Sequence, residues 1–193
     1  MFRKRRNFCG GRALRHGFPV FFPGGFPDGQ HHHLGATAQA YRVVIPQALP
    51  STTDATAMPN REHWLTHVAV MLRPIFSRNG LEIPLRVRLG VGALAPARRT
   101  LGACYTTCDR MGFRHVTISP FIDDPVMVAA VLAHELIHAA LPADEGHGPR
   151  FRAAARALGF EGRATEVTIG PALRSELEQI VGRAGRYPHA ALV

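Results

Sequence analysis

Apolar residues first fall into a helical period at Trp64, Leu65, Val68, Leu72, Ile75 and Phe76, which share one face of a helix. Asn60 stands just before this stripe as an N-cap, and Asn79-Gly80 supplies a stop signal after it. Pro74 lies inside the stripe and is expected to kink or shorten the helix, because it removes a backbone donor. The pattern then changes to alternation. From Leu85 to Val91, Val87, Leu89 and Val91 alternate with Arg86, Arg88 and Gly90. Leu101 to Thr107 is a second strand candidate, and Phe113 to Ser119, with Val116 and Ile118 on one face, is a third. Asp109 to Gly112 reads as the hairpin loop between the last two. Segments this short, bounded by turn residues, predict a small and mostly antiparallel sheet.

Helical signals return at Asp123-Asp124-Pro125, an acidic cap followed by proline at the first helical position. This helix should run from about Pro125 to Leu141 and end at Pro142. A loop from Pro142 to Gly148 leads to another helix, about Pro149 to Leu158, closed by Gly159. A brief strand is expected at Glu166 to Ile169. Pro171 then opens a last amphipathic helix carrying Leu173, Leu177, Ile180 and Val181. The fold class read from this order is α+β.

Residues 1–57 keep no period. They hold Gly-Gly twice, the tract Phe18-Pro19-Val20-Phe21-Phe22-Pro23 and the run His31-His32-His33. Such a stretch reads as a disordered or loosely attached arm, so the domain is expected to span 58–183, with a patternless tail at 184–193. The arm should then be dispensable for folding and catalysis, and the triple histidine a solvated tract.

The chain has 193 residues, of which 46% are hydrophobic, enough for one domain with a sizeable core. It has no apolar run of membrane-spanning length, and Gly10-Gly11-Arg12 interrupts the place where a signal peptide needs its apolar stretch. Its three cysteines, Cys9, Cys104 and Cys108, argue against a disulfide framework and fit a reducing compartment. Cys104 and Cys108 lack the second pair that a four-cysteine zinc site needs, so they read as half-buried strand residues. The net charge is +9, and Lys4 is the only lysine. An arginine excess suits nucleic-acid phosphates and equally suits a GC-rich genome. DNA is therefore an open partner and a membrane is not expected.

One constellation carries chemistry. His134-Glu135-Leu136-Ile137-His138 is H-E-x-x-H within the apolar helix. Histidines four residues apart lie on one helix face, one turn from each other, and reach a common zinc ion. Glu135, turned by about 100° from His134, stays out of the ligand set but stands beside a water that the metal would acidify, as a general base should. A catalytic zinc needs a third protein ligand. His147 is favoured because Gly146 and Gly148 flank it and let the backbone turn back towards the metal. Asp144 and Glu145 compete, as do Glu161 and Glu166 further on. His63 and His67 are also spaced i, i+4 but have no clear third partner, so they read as surface histidines.

His134 to His138, followed by Glu145-Gly146-His147-Gly148-Pro149-Arg150-Phe151, resembles the SprT-like metalloprotease domain, the family of Spartan. The resemblance covers about residues 60–170. It implies a zincin-like fold and Zn2+ held by His134, His138 and His147, with Glu135 as the catalytic base. It also implies hydrolysis of peptide bonds in protein substrates, often proteins on DNA, and an intracellular location, cytoplasmic if the source is a bacterium or phage. The chain departs from many relatives in having no cysteine after Cys108, hence no C-terminal zinc ribbon. Arg114 to Ser119 is the candidate edge strand for an extended substrate to pair with. Two rival readings remain at this point: a three-histidine zinc nuclease acting on RNA, and a non-catalytic, zinc-stabilised DNA-associated module. The oligomeric state is not legible.

Overall fold

A computed structural model describes residues 58–94 and 99–193. The arm of residues 1–57, with its triple histidine and Cys9, lies outside the described residues. The elements are α1 (Arg61–Arg78), β1 (Val87–Val91), β2 (Gly102–Tyr105), β3 (Arg114–Ile118), α2 (Pro125–Ala140), α3 (Pro149–Leu158), β4 (Phe160–Glu161), β5 (Thr168–Ile169) and α4 (Pro171–Ala184). The architecture is α+β, with small mixed sheets. No helix of the described residues is long and apolar enough to cross a membrane.

Local signals set most element boundaries. The Asn60 side chain accepts the His63 amide at 2.9 Å and opens α1. Asp124 does the same for Met127 at 2.9 Å, with Pro125 at the first position of α2. Gly159, at φ 99°, closes α3. Pro74 does not shorten α1, which runs unbroken to Arg78. The carbonyl it leaves unbonded is that of Val70, four residues back. Val70 and Pro74 are both exposed, so water can satisfy that group.

The main sheet has strand order β1-β3-β2. β3 pairs in parallel with β1, from Val87 opposite Arg114 to Val91 opposite Ile118. It pairs antiparallel with β2, from Gly102 opposite Ile118 to Tyr105 opposite His115. The sheet is therefore mixed. Arg114 to Ser119 is also not an edge: β3 is central, with both of its backbone edges already paired. The turn from Asp109 to Gly112 explains how β2 and β3 come together. One Asp109 carboxylate oxygen accepts the amides of Met111 and Phe113, and the other meets His115 Nε2 at 3.0 Å. The edge strands are β1 and β2; β1 runs beside α1 and β2 beside α2.

The core lies between α1, α2, α4 and the sheet. Trp64, Leu72, Phe76, Val116, Ile118, Leu132, Leu136 and Leu177 are all buried there. Beyond α4, Tyr187 belongs to this core as well. Tyr187 is 2% exposed and packs on Trp64, with ring centroids 4.7 Å apart. The Trp64 indole donates to Gly185 O at 2.9 Å, and Leu192 N donates to Pro120 O at 2.9 Å. The stretch after Arg183 is thus a docked strap and not a loose tail. Its single aromatic contact and its backbone bonds carry no periodicity.

Candidate metal centre

α2 is apolar on nearly every side, so it is buried on nearly every side. Its C-terminus is held from β3, where the Arg114 guanidinium donates to the carbonyls of Ala139 and Leu141. A cation there satisfies carbonyls that the helix leaves open and complements its dipole. The helix is thereby fixed against the sheet before any side chain of the site is placed.

His134 and His138 project from one face of α2 and meet His147 from the following loop. The Nε2 atom of His147 lies 3.1 Å from that of His138 and 3.4 Å from that of His134. Two nitrogen ligands at 2.0–2.1 Å from a tetrahedral ion stand roughly 3.3 Å apart, so these separations fit a shared metal ion. Among the described residues, these three form the one cluster of candidate ligands whose donor atoms all lie within 4.8 Å of one another. The three histidines are close enough to bind a metal ion.

The loop that delivers His147 is built by its neighbours. The Glu145 carbonyl accepts the Gly148 amide at 2.9 Å, closing a tight turn, with Gly146 at φ 51°. A β-carbon on Gly148 would stand 2.7 Å from the Glu145 carbonyl oxygen, so only glycine fits. The Glu145 carboxylate accepts the Arg150 amide at 2.9 Å. It therefore caps the start of α3 and lies outside the cluster. Asp144, Glu161 and Glu166 are exposed and lie outside the cluster, although Glu166 lines the adjoining cleft. His63 and His67 are exposed on α1 and join no cluster.

Burial sets the protonation states. It pushes His134 down to about 3 and His138 down to about 4, helped by the neighbouring rings, and it lowers His147. Neutral imidazoles at pH 7 are what a metal requires. Glu135 is 6% exposed, and burial pushes its carboxyl up to about 7. Cys104, on β2, is raised to about 12 by burial and then by the Glu135 charge, so it is a protonated, unreactive thiol. Cys104 and Cys108 are both half-buried, but only Cys104 lies on a strand, because β2 ends at Tyr105.

Glu135 packs against β2 at a point the sequence did not flag. A β-carbon on Gly102 would fall 2.6 Å from Val131 Cγ1 and 2.9 Å from Glu135 Cγ and Oε1. The glycine lets the strand pass directly over the carboxylate. Beyond it opens a cleft of about 820 Å3. β2 from Gly102 to Cys104 forms one wall, Thr165 to Thr168 another, and the three histidines and Glu135 line its interior. The sequence placed a strand here but gave no sign that it, and not β3, would be the free edge at the site.

No family model matches the chain, and no curated protein or solved structure matches it.

Proposed function

We propose that this protein is a zinc metallopeptidase of the SprT-like, zincin-like kind, hydrolysing peptide bonds in protein substrates. The observation that carries the reading is the placement of Glu135, buried in the cleft one residue along α2 from a three-histidine cluster. A metal-binding module or a three-histidine nuclease has no evident use for a buried carboxylate at that point, and burying one costs stability.

The donor set fits zinc: three neutral imidazoles leave one coordination position open, as catalytic zinc sites do. Bound there, zinc supplies Lewis acidity that polarises the scissile carbonyl and makes a water acidic enough to attack near neutral pH. His134, His138 and His147 hold the ion. Glu135, buried beside them, takes the proton from the attacking water and delivers it to the departing amine. The substrate lies extended along the free edge of β2, whose unpaired backbone groups bind a chain without demanding a sequence. Proteins held on DNA are among the substrates the family resemblance implies, and the arginine-rich composition is compatible with them.

The test compares zinc content and cleavage of an unfolded protein substrate in one preparation, with RNA as a second substrate. Replacing Glu135 by Gln should retain stoichiometric zinc and lower proteolysis by about 10²–10⁴-fold. Proteolysis unaffected by the substitution, or cleavage of RNA alone, would overturn the proposal.

A further inference from the structure

Phe151 lies in the first turn of α3, four residues beyond the third histidine, and is wholly buried. Its ring is shared by the whole site. It stacks on His138 with centroids 4.2 Å apart and planes at 26°. It meets His134 edge-on at 4.9 Å and His147 edge-on at 4.8 Å. The hydrogen bonds between the three imidazoles run between their own Nε2 atoms, the atoms a metal would take. They therefore do not explain how the rings are oriented once an ion is bound. Among the described residues, the one side chain outside the trio in ring contact with all three is Phe151.

The residues around it hold the same turn. On one side the Arg150 amide is bonded to the Glu145 carboxylate. On the other the Arg152 guanidinium donates to the His147 carbonyl at 2.9 Å. Three consecutive residues thus fix the loop, the rings and the third ligand's backbone. A flat, apolar ring suits this position. It excludes water from the far side of the ligands and restricts three imidazoles at once, with no polar group to compete for the metal.

We infer that Phe151 is the positioning residue of the metal site, an aromatic template that sets the three imidazoles in their ligating orientation before metal arrives. The inference rests on the three histidines being metal ligands and is independent of whether the loaded protein is a peptidase. A ring that served only the core would affect stability alone. A template affects metal affinity beyond any effect on stability, because the energy of ordering the ligands is then drawn from binding.

The experiment is a zinc competition titration against a chromophoric chelator, together with melting of the metal-free protein. The proteins are wild type, Phe151→Leu, Phe151→Met and Leu158→Ala. Leu158 is buried on the same helix and makes none of the ring contacts, so its variant gauges loss of packing alone. Phe151→Leu should weaken zinc binding by about 10- to 100-fold, the range seen when groups orienting metal ligands are removed. Leu158→Ala should melt earlier and bind zinc within about twofold of wild type. Phe151→Met gives the same reading should the leucine variant not fold. Zinc affinity unchanged in the folded Phe151 variants, or lost equally in Leu158→Ala, would overturn the template. Wild type failing to take up zinc would instead remove the metal reading itself.

Discussion

Two helices of this protein carry histidines four residues apart, and only one pair makes a site. On α1, His63 and His67 face solvent, opposite the buried stripe of Trp64, Leu65, Val68 and Leu72. On α2, His134 and His138 lie on a helix that buries eleven of its sixteen residues, Glu135 among them. The spacing is identical, so spacing does not distinguish them. The difference is a third donor delivered by another element, and burial that keeps the rings neutral. α1 places its polar groups where they cost nothing. α2 places a carboxyl and two imidazoles where they are expensive.

The sharpest way to break this comparison is to truncate one histidine of each pair. His138→Ala should abolish stoichiometric zinc, whereas His67→Ala should leave it intact. Elemental analysis of both variants decides the matter, and equal zinc loss from the two would show that α1 contributes a ligand.

The next effect is energetic and concerns Glu135 in the metal-free protein. Its carboxyl has a folded value of about 7 against an ordinary 4.5. The folded state therefore binds this proton more tightly than the unfolded state. The stabilisation is full below 4.5 and is lost as pH rises through 7. The shift corresponds to about 3 kcal/mol. Glu135→Gln should therefore melt higher than wild type at pH 8, with the gap closing towards pH 4.5. His134 and His138 act in the opposite direction: their lowered values make acid destabilising from about 6.5 downwards. Both proteins should share that acid limb. A gap that does not change with pH would show that Glu135 is solvated.

Gly102→Ala tests the packing of β2 on α2. The added methyl meets Val131 and Glu135, and overpacking of this kind costs about 1–3 kcal/mol. Denaturant unfolding should show that loss, with a further loss of turnover as Glu135 is pushed aside. A variant as stable and active as wild type would mean that the strand does not sit over the carboxylate. The smallest expected effect is on α1. Asn60→Ala removes the cap on His63 N and should cost about 1 kcal/mol without altering zinc content.

Much of this was legible along the chain because it rests on local physics. Caps, prolines and glycines act on their own few residues, and they marked helices at about Pro125 to Leu141 and Pro149 to Leu158, where α2 (Pro125–Ala140) and α3 (Pro149–Leu158) lie. Helical geometry put His134 and His138 on one face, and the glycines around His147 marked a tight turn. What the sequence left open depended on partners distant along the chain. Strand order is one example: β3 pairs in parallel with β1 and antiparallel with β2, which makes it central and leaves β2 as the edge at the site. The strap at Tyr187 is another, since a single aromatic residue shows no period but fills the space beside Trp64. Gly102 reads as an ordinary strand residue until Glu135 is set beneath it. Glu145 competed with His147 as a candidate ligand along the chain, but its carboxylate accepts the Arg150 amide at the start of α3. The sequence by itself determined the helices and the identity of the chemical groups, because those follow from neighbours within a turn or two. The tertiary structure alone decided which edge faces the site, which carboxylate is buried and which ring orders the histidines, because each depends on segments meeting across the core.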